Sequence, residues 1–79
     1  MTTLASTRSG TAVRVVELAL EPLDAAWLSA VGVAVGEVLT VLRRAPLGGP
    51  LHVASDAGGE FAIGPSLAEG IVVEEARAP

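Results

Sequence analysis

One stretch constrains the fold of this chain more than any other. Residues 31–53 read VGVAVGEVLTVLRRAPLGGPLHV, so a glycine-containing turn, a β-branched apolar run, two arginines and a Pro-Gly segment follow one another. Apolar β-branched residues favour a strand, whereas prolines and glycines fix the path of a bend. The stretch therefore predicts a strand, a rigid loop over residues 45–50 and a second strand.

The composition limits the chain to one small domain. A single core in 79 residues leaves a net stability of about 3–5 kcal/mol. The lack of cysteine excludes disulfides and thiolate metal sites, and it is consistent with a reducing compartment, most simply the cytoplasm. Uncharged runs fall short of the roughly 20 residues that a membrane span needs, and the first residues lack the apolar segment of a secretory signal.

The charge balance narrows the choice of partner. The net charge is −4, there is no lysine, and only one pair among the five arginines is adjacent. Binding to nucleic acid or to anionic lipid needs clustered basic residues. We therefore expect no nucleic acid and no direct membrane insertion, which leaves a protein partner or a very small ligand.

Alternating apolar and polar residues predict an all-β fold. Residues 12–20 alternate in two phases that meet between Val15 and Val16, which predicts a β-bulge there. The predicted strands cover residues 12–20, 37–44, 51–55, 61–63 and 71–75. Closing five short strands into a small barrel hides edges that invite aggregation. We expect the barrel domain at residues 12–75, with flexible tails at residues 1–11 and 76–79.

One short α-helix is predicted between the first two strands, at residues 22–31. Pro22 suits its first turn, and Gly32 suits the left-handed position after it. Apolar residues at a spacing of four form one face, which we expect to pack on the sheet. This face carries Leu23, Trp27 and Val31, and Leu28 lies beside it.

A helical turn is predicted just before the last strand. Gly64, Pro65 and Ser66 open it, and Gly70 ends it. Ser66 and Glu69 have the spacing of a capping box. A short helical turn at this place is similar to the one found in SH3-like barrels.

No motif of an enzyme is present. Glu74 and Glu75 are adjacent on a predicted strand and point to opposite faces, so they do not form a catalytic pair. The single histidine is not beside a nucleophile elbow. Gly48 and Gly49 lack the lysine and the following helix of a phosphate loop. We expect a protein that is not an enzyme.

His52 is the one weak candidate for a metal ligand. Without cysteine, a metal site would need at least two carboxylates to converge on it, and the nearest in sequence are Asp56 and Glu60. A partly exposed, inert strand histidine is the more common arrangement. We therefore expect no cofactor and leave open direct binding of Fe²⁺ or another divalent metal.

The arginine pair before the Pro-Gly segment is the best candidate for a partner surface. A cationic pair beside a rigid apolar corner offers one anchor for a carboxylate and one for an apolar contact. The alternative is a plain solvated strand end. The candidate partner-binding residues are Arg43, Arg44, Pro46, Leu47, Gly48, Gly49 and Pro50, joined by Trp27 if it is exposed rather than a core residue.

These residues resemble a known family. The run WLSAVGVAVGEVLTVLRRAPLGGPLHV is similar to the signature region of the FeoA family (ferrous iron transport protein A), in which an Arg-Ala-Pro-Leu-Gly-x-Pro loop follows the central strand. The later run FAIGPSLAEGIVVE resembles the family's closing pattern. The resemblance covers about residues 12–75. The chain departs from it at Trp27, Ala30 and Val35, where a basic residue, an acidic residue and a proline are usual.

The resemblance implies an SH3-like five-stranded barrel in the cytoplasm. It further implies an accessory protein that binds and modulates the cytosolic domain of the FeoB-type ferrous-iron permease. The same fold is similar to the C-terminal domain of metal-dependent repressors, so a metal-sensing or regulatory domain is the alternative. Self-association into a homo-oligomer through the apolar helix face is a third possibility.

Overall fold

The computed structural model describes residues 2–76, which form a six-stranded antiparallel sheet with two short α-helices. Helix α1 (Pro22–Ala30) follows the second strand, helix α2 (Pro65–Glu69) precedes the last, and a 3-10 helix spans Leu4–Ser6. The strands are β1 (Thr2–Thr3), β2 (Ala12–Leu18), β3 (Val38–Arg44), β4 (Leu51–Ser55), β5 (Glu60–Ile63) and β6 (Ile71–Glu75). Their hydrogen-bonded order is β1-β6-β2-β3-β4-β5.

The predicted mostly-β architecture is confirmed, including a helix between β2 and β3 and a helical turn before β6. The prediction of five strands misses β1, which adds a sixth. Within residues 2–76, the hydrogen-bonded order begins at β1 and ends at β5 without joining them. The pairing therefore gives the sheet two edges and does not show the closed barrel that we expected.

Residues 2–7 are part of the fold and not of the flexible tail that we expected at residues 1–11. Thr2 pairs with Val73 and Thr3 with Val72 of β6. Leu4 is 0% exposed and belongs to the core. Full burial of a leucine contributes about 1.5–3 kcal/mol, which offsets part of the cost of ordering this segment, and the pairing with β6 adds to it. A lone leucine among polar residues carries no periodic signal, so the pattern missed it.

The end of the chain is described only as far as Ala76. The Ala76 N–H donates to the Ala12 carbonyl at 3.1 Å and thereby continues the pairing of β6 with β2. The remainder of the tail expected at residues 76–79 lies outside the described residues.

The core is formed by the inward-facing residues of the strands, joined by residues from the segments between them. Alternation along β4 buries Leu51, Val53 and Ser55, as the sequence predicts. The apolar residues that are fully or almost fully buried are Leu4, Val13, Val15, Leu28, Val33, Leu39, Val41, Leu51, Val53, Ile63, Ala68, Ile71 and Val73.

The bulge predicted in β2 is confirmed. Val15 pairs with Val73, but Glu17 pairs with Val72, so Val16 is the extra residue. The strand ends at Leu18, two residues before the predicted end. Because one inserted residue switches the inward phase, both halves of β2 keep apolar residues toward the core.

Helix α1 forms where predicted and ends one residue early, and Gly32 has the expected positive φ of 109°. The prediction of its buried face is correct for Leu28 and Val31, which pack in or against the core, and wrong for Leu23 and Trp27. Leu28 is buried, whereas Leu23 is 85% exposed and Trp27 is 62% exposed. Apolar residues surround most of this helix, so spacing alone does not select a face. The Val33 N–H donates to the Leu28 carbonyl at 2.8 Å, and this turn brings the two residues together in the core.

Helix α2 forms as predicted, and Gly70 ends it, but the capping box does not form. The residue before the helix is Gly64, Pro65 occupies the first turn, and no side chain caps the helix. Proline at the first helical position has the required φ already fixed. The helix therefore starts one residue before Ser66, which lies inside the helix instead of capping it.

Candidate functional site

A second bulge, in β3, separates the two arginines. Val41 pairs with Val53, Arg43 with His52 and Arg44 with Leu51, so Leu42 is the extra residue. Strict alternation along the sequence places Arg43 on the face of the buried Val41. The bulge reverses this assignment, because Arg43 now shares the outer face with His52, while Arg44 lies on the same side as the buried Leu51.

Arg44 binds the N-terminal segment of its own chain. Its Nε and Nη2 donate to the Thr7 carbonyl oxygen at 3.1 and 2.6 Å, and Nη2 also donates to the Ala5 carbonyl. These charge-assisted bonds connect the end of β3 to the segment that contains Leu4. Arg44 therefore stabilises the fold, and the two arginines are not the equivalent anchors that their sequence suggests.

Arg43 has a different environment. It is exposed, and among residues 2–76 it forms neither an ion pair nor a side-chain hydrogen bond. Its guanidinium retains its full donor capacity for an external acceptor. Arg43 is thus the arginine best placed to bind a carboxylate of a partner.

The loop between β3 and β4, residues 45–50, is a closed corner. The Ala45 N–H donates to the Pro50 carbonyl at 3.0 Å, and the Gly49 N–H donates to the Pro46 carbonyl at 3.2 Å. Leu47 lies between these closures with φ of 61° and is fully exposed. A non-glycine residue in this region costs about 1–3 kcal/mol, so the surrounding bonds must hold it there. The corner presents one apolar side chain on a fixed backbone.

Gly48 and Gly49 serve the corner in different ways. Gly48 has φ of 73°, a conformation that glycine adopts without strain. At Gly49 the constraint is space, since a Cβ there would lie 2.7 Å from the Ala45 Cβ. A side chain at this position would therefore collide with the Ala45 methyl group.

A groove of about 390 Å³ lies beside the corner. Arg43, His52 and Ala62 stand opposite one another on β3, β4 and β5 and form a row across its floor. The residues that line it are Arg43, Arg44, Ala45, Pro46, Pro50, Leu51, His52 and Ala62. Four of the eight predicted partner-binding residues thus line one groove, and Leu47, Gly48 and Gly49 belong to the corner beside it.

Trp27 is exposed but does not line the groove. Helix α1 is followed by Gly32, whose carbonyl accepts a hydrogen bond of 2.8 Å from Ser55 Oγ. Ser55 ends β4, whereas the corner precedes the start of β4. Trp27 and Leu23 therefore form a separate apolar surface, which the sequence assigned to the core.

His52 faces one carboxylate. Its Nε2 lies 3.2 Å from Glu60 Oε1, a cross-strand contact on the outer face of β4 and β5. Asp56, the other carboxylate suggested by the sequence, is not part of this contact. Within residues 2–76, no three His, Cys, Asp or Glu side chains are grouped in a way that could hold a metal ion. His52 therefore stands as half of a histidine–glutamate pair.

Comparison with known proteins places this fold in a family. A FeoA domain model matches residues 2–75. FeoA of Chlorobium tepidum is 32% identical, with a TM-score of 0.88 over 96% of this chain and 71% of that one. Stenotrophomonas maltophilia FeoA complexed with zinc, described as a prokaryotic SH3 domain protein, is 28% identical, with a TM-score of 0.77 over 94% and 91%. No curated protein matches the chain.

A manganese-dependent transcriptional repressor is also similar. It is 25% identical, with a TM-score of 0.85, and the match spans 95% of this chain but only 36% of the repressor. The structure thus defines a small SH3-like domain, and the chain belongs to the FeoA family, as its sequence suggests. Members of this ferrous iron transport family are small non-catalytic accessory domains. None of the helices among residues 2–76 has the length and hydropathy to cross a bilayer.

Proposed function

We propose that this protein is a cytoplasmic accessory factor of ferrous-iron uptake that binds and modulates the cytosolic domain of a FeoB-type permease. The observation that carries the proposal is the corner at residues 45–50. It holds Leu47 fully exposed in a left-handed conformation that two backbone hydrogen bonds maintain. A protein tolerates such strain where the surrounding structure fixes it, and strained residues cluster at functional sites.

The proposed contact surface combines this corner with the adjoining groove. Leu47 supplies an apolar anchor, and Arg43 supplies a cation that is unpaired within the described residues 2–76. The two prolines of the corner keep these side chains in a fixed relation. Rigid anchors lose little entropy on binding, which is characteristic of interface hot spots. Gly48, Gly49 and Arg44 contribute by shaping and supporting this surface, and Trp27 would contribute only if the partner also reaches α1.

Co-purification tests the proposal. The cytosolic domain of the permease is expected to co-purify with the wild-type chain and to be lost with Arg43→Glu or Leu47→Ser. Arg14→Glu is the matched control for charge, because Arg14 is also exposed but lies on β2 and does not line the groove. Circular dichroism must show that all variants are folded. If both groove variants retain the permease domain, this surface is not the docking site.

A metal-sensing or regulatory domain is the second candidate, supported by the similarity to the manganese-dependent repressor. The His52–Glu60 pair is the part of the described chain best suited to begin such a site. Calorimetric titration of the isolated protein with Fe²⁺ and Mn²⁺ tests this function. Tight binding that His52→Ala abolishes would favour sensing, whereas equal heats for the wild type and His52→Ala would reject His52 as a ligand.

A further inference from the structure

The outer edge of β5 has hydrogen-bonding groups that its own sheet leaves free. Among residues 2–76, β5 pairs with β4 alone. The Ser55 N–H donates to the Gly59 carbonyl at 3.0 Å, which makes these two residues a hydrogen-bonded pair. Bonded and non-bonded pairs alternate along antiparallel strands, so Phe61 bonds to Val53. Glu60 and Ala62 then direct their N–H and C=O groups away from β4.

The spacing of these free groups allows them to pair with the same groups on a second copy of the chain. If two copies of β5 meet in antiparallel fashion about a two-fold axis at Phe61, Glu60 of each copy stands opposite Ala62 of the other. Both residues are the ones whose backbone faces outward, so the two pairs exchange four N–H···O=C bonds. The arrangement is isologous, because each copy offers the same residues in the same order.

The charges in the groove favour this register. Arg43 lines the groove, and no carboxylate among residues 2–76 forms an ion pair with it. In the paired arrangement, the Glu60 side chain of the second copy lies beside Ala62. Ala62 is the outermost residue of a row that crosses the sheet to His52 and then Arg43. The methyl group of Ala62 leaves space above the sheet for that carboxylate to extend over His52 toward Arg43, in exchange for its contact with His52 of its own copy.

We propose that the β5 edge is a self-association site, at which two copies of this chain pair antiparallel and place Glu60 of each copy opposite the Ala62–His52–Arg43 row of the other. The contact is short, so the dimer is weak and forms at high local concentration. Because the second copy covers the Ala62 side of the groove, dimer formation competes with docking of a partner there. This last consequence alone rests on the proposed function.

Amide hydrogen exchange of the full chain provides the first test. Protein concentration is varied over about a hundredfold range, since mass action makes a weak dimer appear only at the upper end. The Glu60 and Ala62 amides are expected to exchange several-fold more slowly as concentration rises. The Phe61 amide, which bonds to β4 in both states, serves as the internal control and is expected not to change.

A charge swap provides the second test, measured by sedimentation equilibrium. Glu60→Lys places like charges together and is expected to weaken self-association at least about tenfold. Arg43→Glu alone does the same, and the double variant Glu60→Lys/Arg43→Glu restores it, because the attraction is re-established with reversed signs. Glu69→Lys is the matched control, since Glu69 is an exposed carboxylate on α2, away from this edge.

Each outcome decides the proposal. A chain that stays monomeric over the whole range, with exchange at Glu60 and Ala62 independent of concentration, overturns it. The proposal is also overturned if a dimer forms but these amides do not slow and the charge swap does not change its affinity. Self-association would then use another surface, such as Leu23 and Trp27 on α1. Neither result affects the proposed docking on a permease, which co-purification tests separately.

Discussion

The guanidinium of Arg44 holds the backbone carbonyl of Thr7, 37 residues earlier in the chain, through Nε at 3.1 Å and Nη2 at 2.6 Å. The same group also reaches the Ala5 carbonyl. Through these bonds the end of β3 orders the segment that carries β1 and Leu4. The N-terminal segment is therefore part of the domain, and the Arg44 side chain adds to the pairing with β6 and the burial of Leu4 that hold it there.

Replacing Arg44 is expected to destabilise the fold. Arg44→Ala removes the charge-assisted bonds to Ala5 and Thr7, and hydrogen bonds to charged groups contribute about 1.5–3 kcal/mol. The free energy of unfolding, measured with urea, should fall by an amount of that order. Arg43→Ala is the control, because Arg43 is exposed and unpaired among residues 2–76, and its effect should stay within about 0.5 kcal/mol.

Leu4 and Leu47 provide a second contrast between identical residues. Leu4 is completely buried, so Leu4→Ala should cost about 2–5 kcal/mol. Leu47 is completely exposed, so Leu47→Ala should leave the free energy of unfolding within about 0.5 kcal/mol of the wild type. Chemical denaturation measures both. Equal stabilities for the two variants would contradict the packing of the N-terminal segment.

The close approach within the corner predicts a compensating pair of substitutions. Gly49→Ala forces a Cβ to within 2.7 Å of the Ala45 Cβ and should destabilise the protein by about 1–3 kcal/mol through overpacking. Adding Ala45→Gly removes the atom in conflict. The double variant should therefore be more stable than the sum of the two single effects, as thermal unfolding of all four proteins would show. Simple additivity would mean that the clash is relieved in another way.

Trp27 reports directly on the surface of α1. It is the only tryptophan and is 62% exposed, so native fluorescence should be red-shifted and strongly quenched by acrylamide. Trp27→Ser should change the free energy of unfolding by less than about 1 kcal/mol, whereas Leu28→Ala on the buried side of the helix should cost about 2–5 kcal/mol. A blue-shifted, protected tryptophan at low protein concentration would place Trp27 in the core after all.

The fold was predictable where apolar and polar residues alternate. The phase change at Val15 and Val16 marks the bulge in β2, and the period of two identifies β4 and β6. The bulge at Leu42 has no such mark, because apolar residues occupy both faces of β3 before the arginines begin. Its position depends on tertiary pairing with β4, and so the assignment of Arg43 and Arg44 to their faces could not be read from the sequence.

The sequence predicted which residues form the candidate site but not what each of them does. Turn residues and the arginine pair identify the corner, yet the bond from Arg44 to Thr7 joins segments that no local pattern connects. Similarly, α1 is apolar around most of its circumference, so spacing selected Leu23 and Trp27 where packing selects Leu28. In α2, the fixed φ of Pro65 overrides the capping signal from Ser66 and Glu69.

The extra residue in β3 has a consequence for how this protein tolerates change. If β3 alternated strictly with Leu42 in place, the two arginines would exchange faces, so that the one now fastened to the amino-terminal segment would turn to solvent and its neighbour would turn inward. One inserted residue thus gives two adjacent arginines different roles. Arg44 holds the domain together, and Arg43 is directed toward another molecule. A change in strand pairing that removed this bulge while keeping every residue would disturb both roles at once, although every charged side chain would be retained.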